Sequence, residues 1–280
     1  MIIGLVSVSG SPGVTTTALG LTLAWPRASL LVDTDAQQAI LAGYLAGQEP
    51  AEPGLSQVIA STKRTGDLRE AIWLTARPLP DDNQTTRRLL LPGPAAPWER
   101  SAINSRWGSL ASAFGELSSA AGLDVIIDLG RLQTPASADP SSVLPTQLLE
   151  GLDVLAVMLH PTLKSVAAAR RMLGSVTEST NRLGISDRLG LLLRTPAGVL
   201  SRDQAHIDTF TPREVAHATQ VPVLGTIATD PAAAAVLSDG MPRTKKWDSS
   251  RLARSHRRLA HQLSQQVEAR ETVNWEEGDA

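Results

Sequence analysis

The stretch SVSGSPGVTTTALG, Ser7 to Gly20, decides how this chain is read. It continues an apolar run, IIGLVSV (2–8), and passes through a glycine turn and three threonines into TTTALGLTLAW, whose spacing predicts a helix. A strand that turns abruptly into a helix through glycines aims successive backbone N–H groups at one point, and the helix dipole adds partial positive charge there. Such a turn is a cradle for phosphate. Gly10 and Gly13 are placed for it, with Ser11 and Pro12 between them. Thr15 stands where the motif's hydroxyl meets Mg²⁺, and Thr16 where an α-phosphate contact falls. The lysine that normally precedes the hydroxyl is missing, and Val14 occupies its place. Taken by spacing alone, the competing reading is an ordinary strand–turn–helix joint that holds no ligand.

Six further runs share the character of the first: SLLVD (29–33), RLLLP (88–92), DVIIDL (124–129), DVLAVML (153–159), RLGLLLR (188–194) and PVLGTI (222–227). They are nearly continuous in apolar residues rather than alternating, as expected of strands covered on both faces. Helical spacing recurs between them in QQAILAGYLAG, NSRWGSLASAFGELSSAAG and SVAAARRMLGSVTESTNRL. Strand alternating with helix predicts a doubly wound α/β fold, a mainly parallel seven-stranded sheet with helices on both faces. Ligands then belong at the carboxyl ends of the strands. LLVDTDAQQ and DVIIDLG end two of these strands in carboxylates. The segment 47–100, with seven prolines, reads as surface loops around one short helix (GLSQVIAS) and one strand.

A composition shift near Gly240 divides the chain into a main domain, 1–242, and a segment, 243–280, packed on or extending from it. Residues 243–258 carry seven basic side chains against one Asp, and the last ten residues carry four acidic and no basic ones. SSRLARSHRRLAHQLSQQVEAR reads as a helix capped by Ser249 or Ser250, with Leu252, Leu259, Leu263 and Val267 forming a narrow apolar stripe. It is expected to pack on the sheet with Arg251, Arg254, Arg257 and Arg258 facing water. Contact with a membrane or with DNA phosphates is the less favoured use, since the stripe lacks the Phe or Trp such helices carry.

The bulk properties fit this picture. With 42% hydrophobic and 19% charged residues in 280, the chain can bury a substantial core, and 3% aromatics leave that core to Leu, Val, Ile and Ala. A formal charge of −2 argues against a surface given over to nucleic acid. There are no cysteines, which excludes disulfides and thiolate metal sites. The five histidines show no metal-ligand spacing except His256 and His261, which are five apart and not expected to share a helix face. The N-terminus has no signal-peptide pattern and no run approaches a membrane span, so a cytoplasmic protein is expected, peripheral to the membrane only through partners.

Together these segments resemble the MinD/ParA family of deviant P-loop ATPases. The family has KGGxGKTT after its first strand, LLxDxDxQ at the second and DxxIID at the Walker B strand. This chain has SGSPGVTT (Ser9–Thr16), LLVDTDAQQ (Leu30–Gln38) and DVIIDLG (Asp124–Gly130). LHPTLKSVAAARRML and VPVLGTIATDPAAAAVLSDG match the family's later pattern, so the resemblance runs from residue 1 to about 240. GSPGVTTTALGLT with IDLGRL is similar to an actinobacterial branch that also lacks the Walker lysine. The resemblance implies ATP or ADP with Mg²⁺ held by Gly10, Ser11, Pro12, Gly13, Val14, Thr15, Thr16 and Arg194. It implies the metal near Thr15, Asp33 and Asp128, and Asp35 positioning the attacking water. It also implies a homodimer controlled by nucleotide, and a protein partner in a membrane-associated or partitioning machinery, with a Tad-type pilus or secretion apparatus as one setting.

Departures from the family are equally specific. Its signature lysine, which reaches the partner subunit's phosphates, falls at Ser9, and its Walker lysine falls at Val14. The PPG after Walker B is LGR here, and the adenine-reading Asn aligns with Arg194. One preorganised donor is worth about 10²–10³ in rate, so losing two cations costs on the order of 10⁴–10⁶ when nothing replaces them. Arg131, Lys164 and Arg194 are the cations on the ligand side of the sheet. Three readings stay open: a nucleotide-binding positioning or scaffolding protein with little or no hydrolysis, an active ATPase with a relocated cation, and an interaction hub that binds no nucleotide.

Overall fold

Alternate residues along each central strand enter two different apolar layers. On the first strand Ile2 and Val6 join one layer and Ile3 and Leu5 the other; on the strand beginning at Asp124, Val125 and Ile127 part from Ile126 in the same way. Because both layers are apolar, the strand sequence shows no alternation even though the side chains alternate. The computed structural model describes residues 1–8, 13–34, 39–45, 54–65, 67–80, 86–94, 99, 103–132, 144–195 and 209–278, of which 63–65 and 270–278 are described in backbone only.

Among these, eight strands form one sheet: β1 Ile2–Ser7, β2 Ser29–Asp33, β3 Arg77–Pro78, β4 Arg88–Leu91, β5 Asp124–Arg131, β6 Val154–Leu159, β7 Leu189–Thr195 and β8 Val223–Ala228. Their order is β3-β4-β2-β5-β1-β6-β7-β8, and every pairing is parallel except β3–β4. The seven runs read from sequence are all strands. The eighth, β3, is two residues long and sits at the sheet edge, too short to leave a pattern.

The helices are α1 Val14–Ala24, α2 Ala39–Ala42, α3 Leu55–Thr65, α4 Leu68–Thr75, α5 Trp107–Ala121, α6 Thr146–Gly151, α7 Leu163–Arg182, α8 Pro212–Thr219, α9 Pro231–Ser238 and α10 Arg251–Gly278. Residues from α3 to α8 build the layer on one face of the sheet; α1, α2, α9 and α10 build the other. The irregular segment holds more structure than its prolines suggest. After α3 comes a second helix, α4, capped by Asp67, whose side chain accepts from the Arg69 N–H.

The C-terminal segment is a helix, started by the Ser250 hydroxyl, which accepts from the Ala253 N–H at 3.1 Å. Leu252, Leu259, Leu263 and Val267 are buried against α1 and β8, while Arg251, Arg254 and Arg258 are exposed. The close approach of α10 to α1 depends on Gly20: a Cβ there would lie 2.1 Å from Nδ1 of His256. No described helix is long and apolar enough to cross a membrane.

Candidate nucleotide crevice

β1 runs to the centre of the sheet and hands over to α1 through the glycine turn. Gly13 adopts φ 84°, ψ 41°, in the left-handed region, where a Cβ is strained and glycine is not. Its carbonyl accepts the first helical hydrogen bond, from the Thr17 N–H at 2.9 Å. The N–H groups ahead of that bond have no partner inside the helix, α1 carries no acidic residue in its first turn, and Gly13 supplies no side-chain cap. Thr15 and Thr16 are half-buried at this end. Val14, at the position of the absent lysine, is 6% exposed and belongs to the apolar layer of α1, α9 and α10. Its side chain packs; only its backbone is suited to an anion. Ser9, Gly10, Ser11, Pro12 and Asp35 lie outside the described residues.

Two carboxylates lie on the strands to one side of β1. Asp33 ends β2 and Asp128 lies on β5, paired in register across adjacent strands, at 1% and 0% exposure. Thr34 locks the strands together there, donating its N–H (3.1 Å) and its hydroxyl (2.7 Å) to the Asp128 carbonyl. Oδ1 of Asp128 accepts from the Gly130 N–H at 2.9 Å, a bond made within its own strand. Buried carboxylates are paired or bind a cation, and two on neighbouring strands offer hard oxygen donors of the kind Mg²⁺ takes. Among the described residues no three His, Asp or Glu side chains group as a metal site, so a metal here would complete its shell with the Thr15 hydroxyl, phosphate and water.

The three cations named from sequence part company. Arg131 and Lys164 are exposed. Arg194, half-buried on β7, reaches the turn: its Nη1 lies 3.7 Å from where a Cβ on Gly13 would be. Its Nε donates to the Thr229 hydroxyl at 3.1 Å, and that hydroxyl in turn donates to the Thr195 carbonyl. His160, just past the end of the intervening strand β6, is held below the usual imidazole range by burial and then by the Arg194 charge. Neither Thr229 nor His160 carries a signal in the sequence, because each acquires its role only by adjacency across the sheet.

No protein-family model matches the sequence, and no curated protein matches it. Solved structures do match the fold. A ParA family ATPase from Chlorobium tepidum aligns at 20% identity over 92% of this chain and 98% of its own, with a TM-score of 0.62. The septum site-determining protein MinD from Pyrococcus horikoshii, solved with Mg-ADP, aligns at 20% identity over 94% and 95%, also at 0.62. A single-residue variant of McdA from Cyanothece, solved as its ATP complex, aligns at 17% identity over 94% and 96%, at 0.61. An α/β chain with a central glycine turn, two aspartates in register on the adjacent strands β2 and β5 and a nearly all-parallel sheet therefore has the fold of the ParA and MinD ATPases.

Proposed function

We propose that the chain is a MinD/ParA-like nucleotide-binding protein that positions or scaffolds a partner and turns ATP over slowly or not at all. The observation that carries this reading is the left-handed Gly13 opening α1 after the central strand, with Asp33 and Asp128 buried in register on β2 and β5. The residues fit the ligand. Backbone amides from Gly13 to Thr16 suit phosphate oxygens, and the Thr15 hydroxyl with Asp33 and Asp128 suits Mg²⁺. When bound, Mg²⁺ supplies charge neutralisation between the carboxylates and the phosphates. Similar folds have been solved with Mg-ADP and with ATP, and as a MinC:MinD complex, which supports nucleotide binding coupled to a partner.

Little hydrolysis follows from the loop itself, which presents neither family lysine: Val14 is committed to the core and position 9 is serine. A second copy of the chain, or a component of a partitioning, pilus or secretion machinery of the Tad type, would read the nucleotide state. The test is a phosphate-release assay run beside ATP binding. Binding without release supports the proposal. Release abolished by Asp35→Ala would make the chain a working ATPase, and absence of ATP binding would leave an interaction hub.

A further inference from the structure

The loop lacks its lysines, yet the crevice does not lack positive charge. Arg194 crosses the end of β6 from β7, two places from β1 in the sheet, and brings Nη1 to Gly13. The guanidinium is held in place by Thr229, which is itself tied to the Thr195 carbonyl. An arginine at this spot faces the positive end of the α1 dipole, an arrangement that an anion between them makes favourable. The first turn of α1 itself contains no acidic residue. His160 is held below the usual imidazole range by burial and then by the same charge.

We propose that Arg194 binds the phosphate chain of the nucleotide, supplying from β7 the cation that the loop has lost. This differs from what its aligned position implies, which is contact with the adenine. The geometry favours phosphate because Gly13 belongs to the turn that cradles it, and Arg194 approaches that turn. A planar guanidinium, which carries donors and no acceptor, also suits an oxyanion better than it suits the acceptor-and-donor edge of adenine. The inference rests on the nucleotide-binding reading above.

The experiment compares three probes on the full chain by calorimetry: ADP with Mg²⁺, inorganic tripolyphosphate with Mg²⁺, and adenosine. Arg194→Ala is expected to weaken ADP and tripolyphosphate alike, by about 10–100-fold, the value of a charge-assisted hydrogen bond, and to leave adenosine unchanged. Arg194→Lys should recover part of the loss and Arg131→Ala should lose nothing. Equal tripolyphosphate binding by wild type and Arg194→Ala overturns the assignment while leaving the nucleotide site intact. Loss confined to adenosine and ADP returns Arg194 to the base and overturns it too. Failure of the wild type to bind ADP or tripolyphosphate overturns both the assignment and the proposed function. If Arg194→Ala does not fold, Arg194→Gln, which keeps a donor for Thr229, decides by the same comparison.

Discussion

His256 makes the stability of this protein depend on pH in a direction the structure dictates. It sits on α10 against Gly20, 1% exposed, with neither ring nitrogen hydrogen-bonded to the protein. It lines a cavity of about 280 Å³ together with Arg88, Arg243, Arg257 and Asp248. Burial pushes its pKa down from 6.5 to about 3. The folded protein therefore refuses a proton that the unfolded chain accepts between those two values. Stability is complete above pH 6.5, falls as the pH drops through the window, and stops falling on this account below about 3. The loss is about tenfold in the folding equilibrium per pH unit, or about 3 kcal/mol by pH 4.5. Other ionisable groups titrate over the same range, so a difference measurement is needed. Urea unfolding of wild type and His256→Leu, followed by tryptophan fluorescence from pH 7.5 to 4.5, isolates the contribution of the imidazole. Repacking shifts the Leu variant by a constant, whereas the removed titration makes the gap move in its favour as the pH falls. Parallel stability profiles would refute the reasoning.

Gly20→Ala is expected to destabilise by about 1–3 kcal/mol despite alanine's better helix propensity, because its Cβ meets the His256 ring at 2.1 Å. In the His256→Ala background the same change should cost far less, which a double-mutant cycle in urea reads directly. Val14→Lys is expected to lose roughly 1–3 kcal/mol, since it takes a core side chain out of the layer around α1; unchanged thermal unfolding would show that the position is not packed. Asp124→Ala is expected to cost about 1–3 kcal/mol by orphaning the buried Trp25 Nε1, which donates at 2.8 Å to this 5%-exposed carboxylate, and denaturant midpoints check it.

The sheet is legible in the sequence because two-sided burial writes itself as continuous apolar runs, and β1, β2, β4, β5, β6, β7 and β8 each carry one. Two residues at an edge, Arg77 and Pro78, cannot show a period, and α4 is hidden between a short helix and a proline-rich stretch. The sequence places a glycine at the strand-to-helix turn and aspartates at two strand ends, and Gly13 is left-handed while Asp33 and Asp128 lie in register on adjacent strands. Val14 is recognisable as the place of the missing lysine, but its burial depends on how α1 lies against α9 and α10. The contacts of Arg194 with the turn and of His256 with Gly20 join segments far apart in the chain. Nothing local encodes them, for they arise only when strand order and helix layering are set.

Magnesium-dependent binding of ADP tests the central claim most directly. Calorimetric titration of the full chain should show a saturable site with Mg²⁺, and Asp128→Asn should remove the metal's contribution while the melting temperature shows the variant still folded. A flat titration of the wild type, with and without Mg²⁺, would contradict the account and leave the architecture without its ligand.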